Sequence, residues 1–147
     1  MKTIFIVIGL LVACFLALAI ITASPLVGEV VTLHTRDAGG DWQTTPLWIV
    51  DLESGAYLRG GSPEESGWIT RLRANPEAQL DRAGQLRAVT LVEQPARLQE
   101  VHDAMAEKYG WADGFVNLLT GDRSQDLPLR VEMLPATPSP NGTRFHE

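Results

Sequence analysis

The eighteen residues from Ile4 to Ile21 carry no charge and include only Gly9 and Cys14 as mild interruptions. A helix needs roughly 20 apolar residues to span a bilayer, so this stretch has the length and character of a membrane span. The domain is expected in the residues after it. Lys2 precedes the stretch, and no basic residue follows until Arg36, which places the N-terminus in the cytoplasm and the remainder outside. The run exceeds the usual signal-peptide core of about 7–15 residues, which favours a retained anchor. Signal cleavage after Ala23 and lipidation at Cys14, within Leu11-Val12-Ala13-Cys14, are the two alternatives. The expected organisation is an anchor or signal over residues 1–23, a domain over 24–134 and a disordered, proline-containing tail over 135–147.

Composition excludes several chemistries for that domain. A net charge of −6 argues against a general electrostatic grip on nucleic acid, which needs clustered Lys and Arg. Lys2 and Lys108 are the only lysines, so the domain's positive charge is almost entirely arginine, the residue suited to bidentate anion contacts. Cys14 is the sole cysteine and lies in the apolar run, leaving no thiol chemistry for the domain. His34, His102 and His146 lack the spacing of metal ligands, and no metal is expected.

Hydrophobic periodicity then organises the chain. Residues Glu29 to Arg36 alternate, with Val31, Leu33 and Thr35 on one face and Val30, Thr32 and His34 on the other. The Asp37-Ala38-Gly39-Gly40 turn leads to a second strand over Trp42–Asp51, in which Pro46 demands an edge or a bulge. A third strand, Ala56–Arg59, completes a meander. Ser62-Pro63-Glu64-Glu65 has the form of a helix start, with a hydroxyl cap and proline at the first position. Trp68, Ile69 and Leu72 form its apolar stripe, and Asn75-Pro76 ends it. Glu77–Arg82 and Gln85–Glu93 make a hairpin through Ala83-Gly84. Leu98, Val101, Met105 and Tyr109 mark an amphipathic helix, Trp111–Leu119 a shorter one, and Leu127, Leu129, Val131 and Met133 the buried face of a last strand. The pattern is α+β, an antiparallel sheet of six strands able to close into a barrel, with two or three helices.

Candidate chemistry centres on Arg59-Gly60-Gly61-Ser62, where a strand ends in two glycines before a helix start and exposed amides suit an anion; a tight turn needing glycine is the plainer explanation. Arg71 and Arg73 point in different directions, and pairing with a carboxylate accounts for such residues more simply than ligand binding. Trp68 could stack on a planar ring, though a tryptophan on an apolar stripe is more often core. Thr44 and Thr45 precede Pro46 and could face a cleft.

Thr44-Thr45-Pro46-Leu47, Arg59-Gly60-Gly61, and Gly67-Trp68 followed by Leu72-Arg73-Ala74-Asn75-Pro76 together resemble the deazaflavin-dependent nitroreductase family of split-barrel flavin and deazaflavin-binding proteins, over residues 29–134. The resemblance implies a six-stranded split barrel, often dimeric, that holds a reduced deazaflavin or FMN and passes hydride to quinones or nitro compounds. It assigns Gly60 and Gly61 to the anion seat, Arg59 and Arg73 to charge, Trp68 to the ring wall, and Thr44 and Thr45 to the polar edge of the ring. Lys108-Tyr109-Gly110-Trp111-Ala112-Asp113 looks like a signature of membrane-anchored members of this group. The basic turn usual between the family's first two strands is replaced here by Asp37-Ala38-Gly39-Gly40-Asp41. That replacement supports the alternative, an extracytoplasmic binding or assembly module without cofactor.

Overall fold

The computed structural model describes residues 28–135 except residues 63 and 65. The apolar N-terminal run, the tail beyond Pro135 and the proline expected to open the first helix lie outside the described residues. Among those described, no helix is long and apolar enough to cross a membrane.

The elements are β1 (Val30–Arg36), β2 (Trp42–Leu52), β3 (Gly55–Gly60), α1 (Gly67–Ala74), β4 (Ala78–Arg82), β5 (Gln85–Glu93), a 3-10 turn (Pro95–Arg97), α2 (Leu98–Tyr109), α3 (Trp111–Thr120) and β6 (Leu127–Met133). The six strands close into a barrel in the order β1-β2-β3-β6-β5-β4, every pair antiparallel. This is the expected α+β barrel, with three α-helices among the described residues.

β2 accounts for the barrel's shape. Its residues Trp42–Trp48 pair with β1, while only Ile49–Leu52 pair with β3. Pro46 therefore falls where β3 does not reach, a place that tolerates a missing N–H. Its register against Thr32 is continuous with its neighbours, so the edge placement is observed and no bulge interrupts the ladder. The β4–β5 hairpin turns on Ala83 (φ 54°) and Gly84 (φ 77°), two residues of positive φ whose twist matches the strands they join.

Two expectations are corrected. The first helix starts not at Ser62 but at Gly67: the Ser66 amide donates to the Ser62 carbonyl at 2.9 Å, closing a separate turn, and Ser66 is extended (ψ 97°), so the helix begins anew after it. The buried face of β6 ends at Val131. Met133, at the strand's end, is 50% exposed even though its partner Val89 is a core residue. Pro128, which alternation with Leu127 and Leu129 sets on the outer face with Arg130 and Glu132, is buried where Gln94 N donates to its carbonyl and brings the 3-10 turn over it.

The barrel interior packs Leu33, Ile49, Leu58 and Leu80 against Trp68, Ile69 and Leu72 of α1. A second cluster sets Val50 and Tyr57 against Val101, Met105 and Tyr109 of α2. Tyr109 also fastens the start of β1. Gly28 has φ +144°, and a Cβ there would stand 2.6 Å from the Tyr109 ring, so only glycine fits. The Tyr109 hydroxyl accepts from Ile49 N at 3.0 Å and donates to the Glu29 carbonyl at 2.6 Å. Lys108 beside it binds the Glu29 carboxylate at 2.6 Å and the Ile49 carbonyl at 2.7 Å. Arg82 bridges Glu29 and Asp51, each at 2.6 Å.

Candidate functional site

β3 delivers Arg59 to the end of the barrel, and the loop after α3 delivers Arg123 and Asp126 to the same place. Between them and α2 lies a cavity of about 420 Å³. Its apolar wall includes Val30, Leu47, Trp48 and Met105; its polar wall includes Arg59, Gly60, Gly61, Ser62, Arg123 and Asp126. Trp48 is held in place by stacking on Tyr109, with ring centroids 4.4 Å apart and planes 8° from parallel.

The polar wall is a charge cluster drawn from four elements. Arg59, with a side chain 8% exposed, donates from Nη2 to Asp113 Oδ1 at 2.5 Å, and its Nε lies 3.7 Å from Asp126 Oδ2. Arg123 donates from Nη1 to the same Asp113 oxygen at 3.0 Å, with Nε 3.9 Å from Asp126. His102 of α2 approaches Asp126 at 3.2 Å. Burial pushes the Asp113 carboxyl upward, but the Arg59 and Arg123 guanidiniums outweigh it and hold the group below the usual carboxylate range. Two guanidiniums thus face two carboxylates, but the match is incomplete: Arg59 Nη1 is buried and has no acceptor among the described residues. An unsatisfied buried donor costs on the order of 1–3 kcal/mol, more when charged. Arg59 and Arg123 both border the cavity beside Gly60 and Gly61, so the wall is suited to an anionic or carbonyl oxygen.

Of the residues singled out in the sequence, Arg59, Gly60 and Gly61 line the cavity. Gly60 is glycine for a packing reason: a Cβ there would come within 2.9 Å of Trp68 Cζ2 and nearer still to Ile69 Cδ1. At Gly61 the nearest atom to such a Cβ is Ser66 Oγ at 3.7 Å, which leaves room. Trp68 is a core residue under α1. Arg73 is exposed and pairs with Glu93 at 2.8 Å. Thr44 is exposed on β2, and Thr45 accepts from Arg71 Nη2 at 3.3 Å, while Arg71 Nε donates to buried Thr35 at 2.8 Å. Thr44, Thr45, Trp68 and Arg73 do not line the cavity. Asp113, Arg123, Asp126 and His102 were not recognisable as a group from spacing, because they meet only through the packing of α2 on α3 and the path of the loop into β6, while the β3–β6 pairing adds Arg59. Asp113 was marked only as the last residue of the Lys108–Asp113 string. Among the described residues, no three His, Cys, Asp or Glu side chains group as metal ligands.

No protein-family model matches this sequence, and no curated protein does. Solved structures do share its fold. The heme storage protein HutZ from Vibrio cholerae superposes with a TM-score of 0.53 at 17% identity, over 74% of this chain and 83% of that one. An F420 reductase gives 0.52 at 13% identity, over 73% and 87%. A domain-swapped dimer gives 0.52 at 16% identity, over 71% and 81%. At these identities the likeness establishes a split-barrel fold.

Proposed function

We propose that this chain is a membrane-held split barrel that binds a flavin or deazaflavin in the cavity beside Arg59 and reduces a quinone or nitro acceptor. The observation that carries the reading is the pair of guanidiniums, Arg59 and Arg123, on the wall of a cavity large enough for a tricyclic ring, with Arg59 Nη1 buried and lacking an acceptor among the described residues. Arg59 would donate to an oxygen of the ligand, with the backbone of Gly60–Ser62 beside it. Trp48 would flank the ring in place of Trp68, which is engaged in the core. Thr44, Thr45 and Arg73 would take part only if the ligand extends along the free edge of β2 towards Arg71. A bound flavin or deazaflavin would carry the hydride, so no protein nucleophile is required. The fold shared with an F420 reductase supports this class of cofactor, and the likeness to a domain-swapped dimer supports a homodimer. The apolar N-terminal run supports a single-pass topology with the barrel outside the cytoplasm.

A second reading is favoured by the same cluster: both guanidiniums already have carboxylate partners in Asp113 and Asp126. On that reading the barrel is a non-catalytic extracytoplasmic binding or assembly module. Absorbance separates the two. Protein purified with added FMN or deazaflavin and passed over a desalting column should retain visible absorbance in stoichiometric amount; complete loss of colour with both cofactors would favour the module.

A further inference from the structure

Trp111, Leu118 and Leu119 of α3 are 67%, 79% and 59% exposed. With Phe115, which is partly exposed, they stand at i, i+4, i+7 and i+8, one stripe along the helix. The helix turns no charge to the solvent, for its only ionisable residue, Asp113, is buried against Arg59 and Arg123. Other residues of α3 are occupied: Asp113 is buried opposite the stripe, Ala112 is fully buried along its border and Val116 lies on the cavity wall. A charge-free, aromatic-headed stripe on the outside of a small acidic domain marks an interaction surface.

Its place identifies the partner. The described chain begins at Gly28, which lies against the ring of Tyr109, and Trp111 opens α3 two residues after that ring. Residues 22–27 separate Gly28 from the apolar run that ends at Ile21, a tether reaching at most about 20 Å. α3 itself is about 15 Å long. The stripe therefore sits within tether length of the point where the apolar run would leave the bilayer. Tryptophan at the head of such a stripe suits the level of the lipid headgroups.

We propose that the α3 stripe docks on the lipid bilayer and fixes the barrel's orientation on it, with the cavity wall formed by Val116 on the other side of the same helix. The inference rests on the anchoring reading above and is independent of cofactor. Contact is by apolar insertion, so it needs no anionic lipid, in keeping with the chain's net charge of −6.

The test uses the full chain with Cys14→Ala, reconstituted in phosphatidylcholine vesicles and carrying a nitrobenzoxadiazole label on Leu118→Cys. The reference is the same label on Ala38→Cys, in the β1–β2 turn at the far end of β1 from Gly28. Doxyl-labelled phosphatidylcholine should quench the Leu118 label several-fold more than the Ala38 label, with a blue-shifted emission and no loss at high salt. Retention on vesicles with equal quenching at both sites would overturn the docking and leave the anchor standing. So would a Leu118 label shielded from water but not quenched by doxyl lipid, which would mean that a second copy or the N-terminal run covers the stripe. Protein that does not remain with the vesicles at all would overturn anchor and docking together.

Discussion

At Gly60 a side chain has nowhere to go, because Trp68 and the fully buried Ile69 occupy the space a Cβ would need. Gly60→Ala should cost about 1–3 kcal/mol in urea unfolding, the usual penalty of overpacking. Gly61→Ala should change stability by less than about 0.5 kcal/mol, since nothing crowds its Cβ, and any effect should fall on ligand binding. Tyr109 gives a pH signature. Burial pushes its phenol up to about 12. The native state then keeps a proton that the unfolded chain releases from pH 10 upward, so this contribution to stability is intact below pH 10 and falls away towards 12. Tyr109→Phe should lower stability at neutral pH by about 1–3 kcal/mol and flatten the alkaline decline in denaturation midpoints. At this scale the sequence was half legible. The glycine pair was visible, but only packing tells which glycine is structural; Trp68 carried both a core and a ring-wall reading, and the structure places it in the core.

Among elements, strands were the most legible, because alternation such as Val31, Leu33 and Thr35 is imposed by the two faces of a sheet. The start of α1 was misplaced because a capping hydroxyl and a proline signal a turn as readily as a helix, and the chain makes both in succession between Ser62 and Gly67. What α3 does was illegible. Periodicity marked it only as a short helix, and nothing in it told that one side is buried and tied to the barrel through Asp113. Asp113→Asn should destabilise the protein by about 3 kcal/mol at neutral pH, since it leaves Arg59 and Arg123 buried with too little countercharge. The Asp113 carboxyl is held below its ordinary value of 3.8. Its contribution is therefore complete above that pH and lost as the pH falls through the lower, native value. The variant should show a shallower loss of stability in acid than the wild type, measured as midpoints of thermal unfolding between pH 5 and 2.

At the scale of the whole molecule, a closed six-stranded barrel was within reach of the sequence because each hairpin is local. The insertion of β6 between β3 and β5 was not, since that pairing joins residues far apart in the chain. That same pairing, with the loop leading into β6, brings Arg59 to Arg123 and Asp126, so the site was hidden for the reason the topology was. The central claim is that the cavity beside Arg59 holds a flavin-like ring. It is tested most directly by calorimetric titration of FMN and of the deazaflavin into the full chain in detergent, beside a Val30→Trp variant that fills the cavity from its apolar wall. Saturable binding of one cofactor to the wild type, weakened at least tenfold in a Val30→Trp protein that remains folded, is the predicted result. Absence of binding by both cofactors at high micromolar concentration, or equal affinity in the filled variant, would contradict it.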